Sequence, residues 1–489
     1  MLFNSHIFML LFLPLLLAGW YFLNWKKKFQ LAQGYLIGMS LWFYAYANLQ
    51  YLWLLLFSCL IGWLLSCLPE KIFSEKGKKV LTGVGCVFHL GLLGYFKYSN
   101  FFLENLNTVF HTDFPMLQIL LPVGISFYTF QQLAYLIDRC RGDAPRDSFF
   151  DYLTFMVYFP QLLQGPILLR SEFMGQLKEP ERRRFHAERF SEGIQFFVFG
   201  LAKKVLLADT LAKAVNYGYS NVSMLDSISA LLLAVGYLTE LYFDFSGYCD
   251  MAVGLGKMIG LEVAENFDAP FHSASVKEFW RRWHMTLGRF FTRYVYIPLG
   301  GNRRGKMRTL CNVMIVMLLS GLWHGAAWTF VLWGFLHGVG MIWDNLEHPH
   351  LPKKWMRQAA TFAYVCMTFV FFRAESIAQG VDVLKSIVSL KWNGFVFQMA
   401  SALDLTEFYM ITKALSMKLP GLLSWFWLGI FVVLIAICFR VLSGEKVSGV
   451  VALQRQKGYG RLYPVLLAVL FTWSMISMTG VSEYLYFSF

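Results

Sequence analysis

Charge is scarce in this chain. Lys, Arg, Asp and Glu make up 15% of its 489 residues, where a soluble domain carries about 25%. No long polar linker divides it, so the usual split of a soluble chain of this length into several domains has no support. No C-x-x-C pair occurs among the eight cysteines. They sit mostly in apolar runs and read as small buried hydrophobes, not as zinc ligands or a disulfide framework. A G-x-S-x-G elbow, an H-E-x-x-H helix and a phosphate-binding loop are all missing. The usual signatures of a serine hydrolase, a zinc protease and an ATP-driven pump are therefore absent. No metal site and no permanently bound cofactor are expected.

What the chain has instead is apolar residues, 57% of the total, recurring in long runs from end to end. A run of about 20 such residues crosses a hydrocarbon core. The expectation is an all-α polytopic membrane protein of about 10 spans with re-entrant and interfacial pieces. The net charge of +13 comes from basic residues lying between the runs. That places them in cytoplasmic loops facing anionic lipid headgroups, and argues against nucleic acid. Residues 5–24 read as a retained first helix, since basic residues follow it and none precede it. Residues 31–47 and 50–68 form a hairpin, 80–97 cross outward, and a crossing starts just after Pro115. The stretch 151–169 has basic loops on both flanks and carries Pro160, Gly165 and Pro166, so it reads as re-entrant. Residues 190–215 are amphipathic, and 226–262 form one or two spans interrupted by DFSGY. Residues 358–372, 421–440 and 462–480 cross alternately and leave SEYLYFSF outside.

The chain is organised around 266–343. Between 277 and 308 there are nine basic residues and one acidic residue, Glu278. At helical spacing Trp280, His284, Leu287, Phe291 and Tyr294 share a face, with Arg282, Arg289 and Arg293 opposite. This predicts one amphipathic interfacial helix with its basic side towards headgroups or an anionic ligand. His284, on the aromatic side, reads from this helix either as a packed histidine or as a functional one. The run 311–343 has no Lys, Arg, Asp or Glu and is too short for two full crossings. A pair of short or broken helices dipping into the membrane is expected. His324 then lies near the deepest point, between Gly321 and Gly325, which allow close backbone approach. An ionisable group there is costly and is a functional candidate by default, and imidazole can take and return a proton. His337 reads as packing, and His348 and His350 as solvated loop residues. A buried histidine without a paired nucleophile suggests base catalysis on a supplied hydroxyl, with an activated acyl donor.

These residues resemble the membrane-bound O-acyltransferase family, in the bacterial branch that acylates cell-surface polymers. The resemblance spans nearly the whole chain. It rests on LPVGISFYTFQQLAYLID, FPQLLQGPI, PFHSASVKEFWRRWHMTLGRFFTRYVYIPLGGNRRG and GLWHGAAWTFVLWGFLHG, the last two together being highly specific. It implies a ring of tilted helices around a thin centre with a tunnel, in one integral membrane domain over 1–489. Within that domain it implies N-terminal helices to 140, a catalytic core over 141–345, and C-terminal helices with an extracytoplasmic tail after 346. It implies that His324 is catalytic and that His284 supports it from across the tunnel. It implies a cytoplasmic acyl thioester as donor, acetyl-CoA first, in the bacterial cytoplasmic membrane. The terminal YLYFSF is similar to an aromatic hexapeptide of this branch whose tyrosine is proposed to carry the acyl group. Tyr486 holds that position; an interfacial aromatic anchor is the other reading. The implied function is O-acetylation of an extracytoplasmic polysaccharide of alginate type, finished by an SGNH-type partner. Peptidoglycan O-acetylation and teichoic acid D-alanylation are alternatives. A proton-coupled transporter or flippase, and a non-catalytic scaffold, are the rivals from other classes.

Overall fold

The computed structural model describes residues 1–47, 49–67, 75–346, 353–442, 446–458, 460–478 and 485. Among them every regular element is helical. Six helices are long and apolar enough to cross a membrane: Phe8–Trp25, Leu49–Cys67, Lys76–Phe110, Ser227–Ile259, Lys306–His324 and Pro420–Leu442. Leu462–Ser477 is a shorter apolar helix. The chain is an all-α polytopic membrane protein, as its composition predicts.

The centre is the 33-residue helix Ser227–Ile259, buried along most of its length. Asp226 caps its start by accepting from the Ser229 amide, and Gly260 ends it at φ 85°. The expected interruption at DFSGY does not occur. Gly247 lies mid-helix because the neighbouring helix, Ala187–Ala202, needs room there. A Cβ on Gly247 or Gly200 would come within 2.7 Å of the other's carbonyl oxygen, and the pair Gly254 and Gly193 behaves alike. Two such pairs, two helical turns apart, let the backbones touch where lipid supplies no hydrophobic drive. Next to them Lys203 pairs with Asp250 at 2.6 Å, and Lys204 with Asp244 at 2.6 Å and Asp209 at 2.7 Å. Buried charges persist only when paired in this way.

Two other segments depart from the sequence expectation, and a third keeps to it. The outward crossing at 80–97 continues, through a π-turn, to Phe110. The following helix, Ile125–Arg141, starts ten residues after Pro115 because Pro122 and Gly124, at φ 78°, hold the preceding backbone out of helical geometry. The re-entrant stretch is a broken element, Phe149–Val157 then Phe159–Leu162 then irregular chain. Residues 154–168 are all buried, so its irregular backbone meets protein rather than lipid.

Candidate active site

The predicted continuous amphipathic helix is two short helices, Val276–Arg282 and Met285–Phe291, with the chain breaking at His284. The cause is Asn266, from the irregular segment after the central helix. Its backbone oxygen accepts from the Met285 amide at 2.9 Å. Its side-chain oxygen accepts from the Thr286 amide at 3.0 Å and the Thr286 hydroxyl at 2.9 Å, and lies 3.2 Å from His284 Nδ1. His284 itself sits at φ 46°, a left-handed conformation that costs a non-glycine residue energy and persists only where the surroundings impose it. The arginines of this region serve internal pairs: Arg282 with Glu278, Arg289 with Glu172, and Arg293 with Asp138 and Asp143.

The Asn266 network also assigns the His284 tautomer. Two donors from Thr286 fix Oδ1 as the acceptor, and Asn266 Nδ2 is directed at Cys249 Sγ, 3.4 Å away. His284 Nδ1 therefore carries the proton and donates it. Nε2 is left with its lone pair, buried and without a hydrogen-bond partner.

His324 ends the 19-residue helix Lys306–His324, and the 18-residue helix Trp328–Asn345 returns from it. The two short or broken helices expected here are instead unbroken, with His324 at the apex of the hairpin. Gly321 and Gly334 make the close crossing possible. A Cβ on Gly321 would lie 2.3 Å from the Phe330 carbonyl oxygen, and one on Gly334 2.4 Å from that of Met317. The last three carbonyls of the first helix have partners from another element. Tyr98 Oη donates to Leu322 O, and Lys97 Nζ donates to Trp323 O at 2.7 Å and His324 O at 2.9 Å. A cation suits the negative end of the helix dipole.

The structure brings His324 and His284 together, with ring centroids 6.4 Å apart. Trp323, Trp333 and Phe372 surround His324 at 4.8, 5.1 and 5.1 Å between centroids, and Phe245 packs edge-on to His284 at 4.7 Å. His337 has both nitrogens engaged, one accepting from Trp280 Nε1 and the other bonded to Thr368 Oγ1, which is a packing role. Tyr486, His348 and His350 lie outside the described residues. Leu485, one residue before Tyr486, donates its amide to Asp244 Oδ2 at 3.1 Å and packs partly buried on the apolar core. Among the described residues no three His, Cys, Asp or Glu side chains cluster as metal ligands.

Two cavities lie beside the pair. A small one, about 50 Å³, is lined by His324, Lys97, Trp323, Leu163 and the turn 121–127. A large one, about 1050 Å³, includes Lys203, Asp250, Arg440 and Lys446, and reaches Ser246, Cys249 and Asn266. Asn266 thus stands between the large cavity and His284. Asn266 and Lys97 were not legible as site residues from the sequence. The available signal for Lys97 was a single charge inside an apolar run; Asn266 gave none.

The chain belongs to the membrane-bound O-acyltransferase family, whose profile matches residues 141–375. It is therefore a multi-pass membrane acyltransferase. It is 35% identical over 423 residues to the peptidoglycan O-acetyltransferase of Helicobacter pylori, covering 80% of each chain. It is 39% identical over 389 residues to the probable alginate O-acetylase AlgI of Azotobacter vinelandii, covering 77% of this chain and 76% of that one. It is 28% identical over 271 residues to the teichoic acid D-alanyltransferase of Bacillus subtilis, covering 52% of this chain and 69% of that one.

Proposed function

We propose that this enzyme takes an acetyl group from acetyl-CoA on the cytoplasmic side of the bacterial cytoplasmic membrane and delivers it to the other side. There it serves O-acetylation of an extracytoplasmic polysaccharide of alginate type. The observation that carries the reading is the buried imidazole of His324 at a hairpin apex with the buried His284 ring 6.4 Å away, in a chain of this family. His324 acts as the base. It takes the proton of an acceptor hydroxyl, whose oxygen bonds to the thioester carbonyl carbon. The carbon–sulfur bond breaks, and the proton passes to the departing thiolate. His284, with Nε2 as a lone-pair acceptor, orients a reacting group. It would serve an oxyanion only in its protonated form.

The first acceptor in this reading is the Tyr486 phenol. Support comes from its chain neighbour: Leu485 is bonded to Asp244, and the next residue of that helix, Phe245, touches the His284 ring. The acetyl group then passes to the polymer through an SGNH-type partner outside. Mass spectrometry of the C-terminal peptide tests this. A hydroxylamine-labile acetyl adduct is expected on the wild type and not on Tyr486→Phe; an adduct persisting at another residue moves the nucleophile. Peptidoglycan as acceptor is the second reading, favoured by the longer match to the Helicobacter pylori enzyme.

A further inference from the structure

The large cavity is a slot whose apolar walls do not meet. One wall is the central helix Ser227–Ile259 with Leu206 beside it. The other is the helix Pro420–Leu442, through Ile430, Val433 and Ile437, with Trp473 of Leu462–Ser477. Val433, Ile437 and Trp473 stay 54%, 47% and 51% exposed although they line the slot. The slot follows the second helix from Ile430 to Val441, about 17 Å at the helical rise. That is close to half of a hydrocarbon core about 30 Å thick, the depth reached by the chains of one leaflet. The volume of about 1050 Å³ takes about 35 water-sized groups, the bulk of a two-chain lipid. Left dry, a void of this size would cost more than the whole stability of an ordinary domain. Water gains little between apolar walls.

The charges that reach the slot differ between its ends. Midway, Lys203 is closed on Asp250 at 2.6 Å and Asp209 on Lys204 at 2.7 Å. At one end Ser477 donates to Glu407 at 2.9 Å and Lys213 to the Asp404 carbonyl at 3.4 Å. At the other end stand two cations, Arg440 in the last turn of its helix and Lys446, 3.0 Å from Asp268. One carboxylate shares that end, Glu265, which accepts from Ser448 at 3.2 Å. We infer that the slot holds one phospholipid with an anionic headgroup, its chains between the two walls and its phosphate at Arg440 and Lys446. Basic pockets between membrane helices take such headgroups, and the apolar walls match the chains in length and volume. The lipid lies against Asn266, which lines the slot and holds His284. It thus packs behind the network that fixes the His284 ring, whichever acyl donor and acceptor the enzyme uses.

Native mass spectrometry of the full chain purified in mild detergent should show one phospholipid retained per protein. After delipidation, added phosphatidylglycerol should raise the melting temperature of the wild type, and phosphatidylcholine should raise it less. Ile437→Trp fills the slot, so it should retain no lipid and its melting temperature should not respond to either one. Val433→Trp, one turn away, reads the same effect if Ile437→Trp folds poorly. Val432→Trp is the control: Val432 is 53% exposed and lies outside the slot, and this variant should keep the lipid. Arg440→Gln should weaken phosphatidylglycerol binding about fivefold, the scale of one cation near a headgroup, and leave phosphatidylcholine binding unchanged. Retention in both slot variants as in wild type, a variable number of lipids in every variant, or equal binding of the two headgroups overturns the site. Displacement of the lipid by coenzyme A also overturns it, because the slot would then belong to the acyl donor.

Discussion

Asn266 and His284 are joined by a hydrogen bond of 3.2 Å that fixes both the tautomer and the position of the imidazole. Three donors converge on one side-chain oxygen, so the contact is over-determined. Asn266→Ala should leave His284 Nδ1 and Thr286 unpaired inside the protein, costing about 1–3 kcal/mol of stability. Acetyl transfer should fall at least as steeply, because the ring is free to turn. Thermal melting and a transfer assay on the purified protein check both. Melting and transfer at wild-type levels would show that the network does not hold the ring.

The left-handed backbone at His284 separates two effects of mutating it. His284→Ala loses the imidazole and keeps a Cβ in an unfavourable conformation. His284→Gly loses the imidazole and relieves the backbone, so it should be the more stable of the two by about 1 kcal/mol. Both should be impaired in transfer. Equal melting temperatures would remove the strain argument.

Gly321→Ala places a methyl group 2.3 Å from the Phe330 carbonyl oxygen, which is backbone and cannot swing aside. The hairpin must open, at a cost of about 1–3 kcal/mol, and the apex carrying His324 shifts with it. Gly38→Ala meets nothing within 4 Å and is the matched control, expected to melt within a degree or two of wild type. A Gly321→Ala protein as stable and active as the control would contradict the close crossing.

Lys97→Met removes the ammonium that satisfies the last two carbonyls before the turn. Two buried acceptors then lose a charged donor, worth about 1.5–3 kcal/mol for a charged hydrogen bond. Transfer should drop because the histidine sits on the frayed end. Lys97→Arg, which keeps the charge, should recover part of the activity. Loss of activity that is identical in both variants would point to shape alone.

Much of this was legible in the sequence because membrane rules are coarse and strong. Apolar runs and basic loops gave the class. His324 stood out because an imidazole in an uncharged run is rare, and Gly321 was correctly read as a place of close approach. What failed were inferences about helix continuity. Gly247 in DFSGY resembles a breaker, yet its missing side chain is consumed by packing against Gly200. His284 fits a helical stripe, yet the helix breaks there because Asn266 binds the backbone from a distant segment. In both cases a tertiary partner outside the local window decided the outcome. The small and large cavities depend on side-chain packing that no periodicity encodes.

The account depends most on His324 moving an acetyl group from one side of the membrane to the other. The direct measurement supplies radiolabelled acetyl-CoA to proteoliposomes in which the cytoplasmic face of the enzyme points outward, and follows label protected in the lumen, for wild type and His324→Ala at matched protein level and melting temperature. Label should accumulate inside on the enzyme's C-terminal peptide, or on an enclosed acceptor, with wild type and stay at background with His324→Ala. Equal accumulation with the two proteins would contradict the account.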